Sequence, residues 1–547
     1  MRTEHQNSVK TFFSGVLLLS FSTVLVKIIG LIYKIPMLSF LGSEGMGYFN
    51  SAYEIYALLC IIATAGLPVA LSVLVSSAVA KGDLSRAEQI YSAAFRIFFG
   101  IGLVGCGAMW LFARQFCEWI QSENAYGSIL AISPTIFFVC VSSAIRGYFQ
   151  GFQRMLPTAV SQLLESIGKL VFGLLFASLA LQGGEPTENV AAAAGWGLSL
   201  GTALSTAYLI IIKRRSCIKE GCFLPKTHEE NKAEKGITKA LLSMALPMTL
   251  GASLASVTKL IDMAMILRGL QSIGYTEMQA NEAYGSYTTL AIPIFSLLPT
   301  LLNSITLPLV PILSSAIASK DENRQQLMIE TSYRLTAFFA IPASLGIACF
   351  SPQILSLVFF NQEDSIAIAS PLLSLLGISV FLSCMITATN SVLHSYKIVK
   401  RPILSLVAGA IVKLVVAYFL IGNPSIGLLG APISSFFCNA TVVLMNFSFA
   451  SHFSKSLSIG KIFMRPLLNG TISIGFVFLL YEWLSRQYSA NNALILICLG
   501  LSALLYLLLS VLSGSIGVED LYAFFKKDPG TAPKNRLFNE NEQKTND

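Results

Sequence analysis

The stretch FFSGVLLLSFSTVLVKIIGLIYKIPMLS, residues 12–39, decides the fold. Its 28 residues carry two charges, Lys27 and Lys34, and its apolar side chains do not alternate with polar ones. A bilayer core takes about 20 such residues as an α-helix, whereas a barrel strand needs about 10 of alternating polarity. The run follows a polar start, Met1 to Lys10. It is too long for a signal-peptide core and no small-residue cleavage site follows it, so it reads as a first spanning helix.

The rest of the chain repeats this pattern. Over 547 residues, 54% are hydrophobic and 12% charged, with a mean hydropathy of +0.67, against about 25% charged residues in a soluble domain. Composition excludes a soluble enzyme. Further helices are expected near 49–79, 91–113, 126–149, 157–181 and 189–212, then near 240–267, 284–317, 331–350, 367–392, 402–422, 428–450, 466–484 and 492–513. The fold class is thus an all-α polytopic membrane protein of about fourteen transmembrane helices. The expected organisation is a first lobe, 1–212, a basic linker, 213–239, a second lobe, 240–450, two further helices, 451–513, and a polar tail, 514–547, too poor in apolar residues to fold alone.

An even number of passages puts both termini on one side. Lys and Arg concentrate in one set of alternating loops, from Lys81 and Arg86 through Lys213–Lys239 to Lys397, Lys400 and Arg401, whereas the other set holds Arg114, Arg268 and Arg486. Both termini are therefore expected in the cytoplasm, with the chain in the cytoplasmic membrane. The formal charge of +8 resides in these membrane-flanking loops, so a nucleic-acid partner is not expected. Most of the ten cysteines lie in apolar runs and imply no disulfide framework. Cys217, Cys222 and His228 fit no zinc spacing, and no metal site is expected.

Landmarks recur at an offset of about 240 residues. Leu67-Pro68, Ser76-Ser77-Ala78, Lys81 and Arg96 correspond to Leu307-Pro308, Ser314-Ser315-Ala316, Lys320 and Arg334. Arg154 to Pro157 followed by Lys169 matches Lys400 to Pro402 followed by Lys413, and Lys27 matches Lys259. With six spans in each half, the halves form a parallel repeat, and the last two helices stand outside it.

Ionisable groups inside spans are costly and mark function unless neutralised. Arg96, Arg146 and Arg334 lie near expected helix ends and can snorkel to water. Glu165 with Lys169, and Lys259 with Asp262, are spaced as helical ion pairs. Lys27 and Lys413 have no acid one turn away in their own helices. Polar stripes run through Ser20, Thr23, Lys27, Gly30 and Lys34, through Ser405, Gly409 and Lys413, and through Ser383, Thr387, Asn390 and His394. Such stripes face a cavity or a small-residue packing seam. Lys27, Lys34, Arg146, Lys169, Lys259 and Lys413 outnumber Glu54, Glu165 and Asp262, so a cavity they line attracts an anion. Pro68 and Pro308 are candidate hinges.

Several strings carry a resemblance. Arg146-Gly-Tyr-Phe-Gln-Gly151 with Pro157-Thr-Ala-Val-Ser-Gln162 and Glu165, Lys27-Ile-Ile-Gly-Leu-Ile-Tyr33 with Leu41-Gly-Ser-Glu-Gly45, and Ala80-Lys-Gly-Asp83 resemble the stage V sporulation protein B and lipid II flippase group of the multidrug/oligosaccharidyl-lipid/polysaccharide exporters. The resemblance implies a MATE-like V of two six-helix lobes, with the last two helices forming a groove for a polyprenyl tail. It implies alternating-access export of an undecaprenyl-pyrophosphate-linked cell-wall precursor such as lipid II. The alternatives are another lipid-linked unit of capsular or teichoic type, and a cation-coupled drug exporter. In helix 1, Lys27 matches a cavity arginine of that group, but its next cationic position falls on Tyr33, one residue before Lys34. The implied partners are the bilayer and a polyprenyl-pyrophosphate-linked saccharide. No cofactor is expected, a coupling cation or the membrane potential stays open, and a monomer is the default. No nucleophile–base set or ATP motif argues for an enzyme.

Overall fold

The computed structural model describes residues 2–220, 230–306, 309–398, 400–453, 460–487 and 492–515. Pro308 and the side chains of Thr23, Cys217, Cys222 and His228 lie outside the described residues. All regular structure among the described residues is helical. Thirteen stretches of the described residues are long and apolar enough to cross a membrane, and the first, Leu25–Ala80, has 56 residues. At 1.5 Å per residue it measures about 84 Å, enough for two passages.

The break between those passages is shorter than the sequence suggested. Helix α1 (Arg2–Thr64) continues to residue 64 except at Gly42, whose φ of 65° and ψ of 177° are non-helical. This region is essentially closed to residues with a Cβ. One glycine therefore replaces the expected connection between helices 1 and 2. After a bend at residues 65–66, α2 (Leu67–Ala80) completes the second passage with Pro68 in its first turn, where its missing N–H costs nothing.

The repeat is visible element by element. In the first half α3 (Leu84–Leu111), α4 (Ala113–Ile120), α5 (Tyr126–Gly151), α6 (Leu156–Gln182) and α7 (Thr187–Glu220) follow. The second half has α8 (Glu230–Ser272), α9 (Glu277–Ser286), α10 (Ile292–Thr306), α11 (Leu309–Ala318), α12 (Glu322–Cys349), α13 (Ser351–Val358), α14 (Glu363–Ser395), α15 (Lys400–Ile421) and α16 (Gly430–Ala450). Both α3 and α12 have 28 residues, and each is followed by a helix of eight. Each begins on an aspartate cap: Asp83 accepts from the Arg86 N–H at 2.8 Å, and Asp321 from the Arg324 N–H at 3.0 Å. The last two helices, α17 (Arg465–Gln487) and α18 (Asn492–Leu512), pack together, and the Tyr506 hydroxyl donates to the Phe338 carbonyl of α12 at 2.9 Å.

Within each half, small residues let helix backbones touch, as apolar packing in lipid requires. Gly168 of α6 lies against the backbone of Gly201 of α7, at 2.7 Å from where its Cβ would stand. In the second half Ser405 and Gly409 of α15 are buried, and Gly409 faces Cys438 and Val442 of α16. The Ser405–Gly409 part of that stripe is a packing seam, not a cavity wall.

The halves meet at the end where α1 turns at Gly42. The Ser43 and Ser365 hydroxyls are 2.5 Å apart, Ser122 donates to the Asn281 side-chain carbonyl at 3.2 Å, and the Gln271 amide donates to the Gln121 carbonyl at 2.6 Å. Gly47 rests on the Asn281 carbonyl and Gly285 on the Ser43 carbonyl, leaving no room for a Cβ.

Candidate functional site

A cavity of about 360 Å³ lies behind this closure. The first arm of α1 contributes Lys27, Gly30, Tyr33 and Lys34, and the second contributes Asn50, Tyr53 and Glu54. Lys169 enters from α6, and Thr288 and Ile292 come from the second half. Three of the six interior cations therefore line one cavity beside one carboxylate. Lys27 is exposed there and meets no acid among the described residues.

Lys34 crosses between the halves because of a backbone defect. The segment Tyr287–Ala291 is a π turn, in which the Ile292 N–H donates to Tyr287. In that register the Thr288 carbonyl needs the N–H of residue 293, which is proline and has none. The Lys34 ammonium donates to this orphaned carbonyl at 3.1 Å. The Asn50 amide donates to the Thr288 and Thr289 hydroxyls, both at 2.9 Å. Asn50 and Thr288 were absent from the sequence-based site, although Pro293 in an apolar span signals that a carbonyl has lost its partner.

Three of the other four cations, Arg146, Lys169 and Lys413, are held by acids. Lys169 reaches Glu165 at 2.7 Å, the expected helical pair. Glu165 also holds Arg146 at 2.9 Å, and the Arg146 guanidinium donates to the Ser161 and Ser205 hydroxyls at 2.9 and 3.3 Å. Snorkelling of Arg146 is thus corrected: with 13% of its side chain exposed, it is an interior ion-pair partner. The Lys259–Asp262 pair is corrected too. Asp262 of α8 pairs with Lys413 of α15, so the acid missing from the Lys413 helix comes from a neighbour. Lys259 is exposed on α8, within electrostatic reach of Glu54 and Asp262. Asn390 lies apart from the cavity, its side-chain carbonyl accepting from Asn446 at 2.9 Å. Pro68 also stands apart, packed against Gly147 of α5.

One buried cluster escaped the sequence reading, which placed Lys213 in a solvated linker. Lys213 at the end of α7 is 7% exposed and lies 2.5 Å from Glu88 of α3. The Tyr148 hydroxyl donates to the same carboxylate, and the ammonium sits 3.7 Å from the Tyr148 ring centroid. Satisfied on every side, this cluster ties α3, α5 and α7 together.

A multi-pass helical chain in two related halves enclosing a charged cavity has the fold class of the MATE-type membrane transporters. The chain belongs to the polysaccharide biosynthesis protein family, which matches residues 12–317, more than half its length, while the MatE family matches residues 286–419. Stage V sporulation protein B of Bacillus subtilis is 25% identical over 428 residues, covering 78% of this chain and 80% of the relative. Lipid II flippase MurJ of Bacillus subtilis is 25% identical over 423 residues, covering 73% and 76%. Among solved structures, a lipid II flippase MurJ in an inward closed conformation superimposes with a TM-score of 0.70 at 16% identity, over 92% of this chain and 100% of that one. An inward-facing multidrug resistance MATE family transporter gives 0.65 at 14% identity, over 80% and 97%. At these identities the structural likeness is one of fold.

Proposed function

We propose that the protein is an alternating-access flippase exporting an undecaprenyl-pyrophosphate-linked cell-wall precursor, lipid II or a close chemical relative, across the cytoplasmic membrane. The observation that carries this reading is the cavity lined by Lys27, Lys34 and Lys169 beside the single carboxylate Glu54. Cations in a low-dielectric recess favour an anion, and Lys27, which meets no acid among the described residues, is free to take one. A volume of about 360 Å³ suits the pyrophosphate and adjoining sugar more than a whole disaccharide-peptide. The flippase among the relatives agrees with this reading.

In this proposal both termini are cytoplasmic and the protein acts as a monomer. A cation gradient or the membrane potential drives the return step, and α17 and α18 carry the polyprenyl tail. The family's link to polysaccharide biosynthesis favours a second reading in which the sugar belongs to another lipid-linked polymer. The lysine excess argues against a cationic drug.

The test is translocation of fluorescent lipid II by the purified protein in proteoliposomes. Lys27→Ala is expected to lower the rate at least about tenfold, the equivalent of about 1.4 kcal/mol, while the variant stays monodisperse. Full activity of that variant would end the phosphate-cradle idea. A folded wild-type protein that moves another lipid-linked saccharide but not lipid II would select the second reading.

A further inference from the structure

A second recess, of about 700 Å³, opens between the ends of α8 and α15 and owes nothing to the cation-lined cavity. Its walls are apolar, with Ile261 and Met265 on α8 and Phe419 and Ile421 on α15. Arg268 stands among them in the last turns of α8, exposed and without a carboxylate partner among the described residues. The remaining wall is Trp119, which comes from α4 in the first half of the chain.

We propose that this recess binds one anionic phospholipid. The Arg268 guanidinium takes the lipid phosphate, the Trp119 indole lies beside the headgroup, and an acyl chain fills the groove between α8 and α15. Charge complementarity selects the occupant: an arginine at a helix end in a membrane, with no acid to neutralise it, presents a fork that matches phosphate oxygens. Tryptophan at the same level is the side chain that settles at the headgroup layer. An apolar groove open to the bilayer is filled by a lipid chain, since water gains nothing there.

The site is assembled from both halves. Trp119 lies two residues before Gln121, whose carbonyl accepts from Gln271 of α8 at 2.6 Å, so the wall is in place while the halves are closed at this end. A lipid that binds the complete recess better than the open one shifts the protein towards closure. Asp262, paired with Lys413, lies six residues before Arg268, about 9 Å deeper along α8. The lipid thus occupies the mouth of the crossing that the ion pair fastens below.

The experiment uses Trp119 as reporter. Of the four tryptophans, Trp110, Trp196 and Trp483 are replaced by Phe, and the full chain is reconstituted in phosphatidylcholine vesicles. A low mole fraction of phosphatidylglycerol or phosphatidylcholine brominated on an acyl chain is added as quencher. Brominated phosphatidylglycerol is expected to quench Trp119 with about fivefold preference, the scale of one basic residue acting on an anionic lipid. Arg268→Gln is expected to abolish that preference and Arg268→Lys to keep most of it. Equal quenching by the two lipids would show ordinary bilayer solvation and overturn the proposal, as would a preference that survives Arg268→Gln. Should the single-tryptophan chain not fold, native mass spectrometry of the wild type and Arg268→Gln decides instead. Equal retention of phosphatidylglycerol by both would again overturn it.

Discussion

At the scale of single residues, the interior charges divide into those already answered and those left open. Asp262 and Lys413 form one unit, because removing either strands the other in a poorly solvated place. Asp262→Asn or Lys413→Met alone is expected to destabilise the protein by about 3 kcal/mol, and the double variant by less than either. Thermal unfolding in detergent measures this, and additive losses in the double variant would show that the two act separately. The sequence identified the charged members of these clusters except Glu88 and Lys213, because an ionisable residue inside an apolar run is conspicuous on its own, whereas these two sit where loops were expected. Partner choice was not legible. Spacing within one helix proposed Lys259 for Asp262, and only the packing of α8 on α15 brings Lys413 nearer. Asn50 and Thr288 went unnoticed for a related reason: uncharged, they matter through a carbonyl that a distant proline sets free.

At the scale of elements, the closure of the halves at the Gly42 end includes two places where a backbone meets a backbone, Gly47 on Asn281 and Gly285 on Ser43. Gly285→Val puts a branched side chain against the Ser43 carbonyl and is expected to hold this end open. With the native cysteines replaced, Ser122→Cys, now fully buried, is then labelled by a membrane-impermeant maleimide at least about tenfold faster, as a shift of about 1.4 kcal/mol in the equilibrium gives. Unchanged labelling with transport intact would mean that the contact is incidental to gating. Helix number and order were legible because each passage is a long apolar run with charged flanks. The Gly42 turn was not, since a single φ of 65° leaves no mark beyond a glycine in a short Leu-Gly-Ser sequence. The π turn at Tyr287–Ala291 likewise announces itself only through Pro293.

At the scale of the whole molecule, the proposed orientation has a direct test. Green fluorescent protein fused to either terminus is expected to fluoresce, because the proposed orientation, with an even number of passages, places both ends in the cytoplasm. A dark fusion at one end and a bright one at the other would mean an odd number of crossings. The repeat was readable from proline and basic landmarks, and the matching 28-residue helices with aspartate caps extend it to features those landmarks did not include. Gly168 on Gly201 and Gly173 on Gly197 bring α6 and α7 backbone to backbone, so Lys169 stands on a tightly packed wall. Lys27 and Lys34 stand on the arm that hangs from Gly42. A vessel with one fixed and one jointed side changes its girth without losing its grip, so the protein is expected to tolerate cargo of different bulk on a common phosphate handle. Translocation of lipid II with and without its peptide, compared in one assay, measures that tolerance; a sharp preference for one size would show that the arm is stiff.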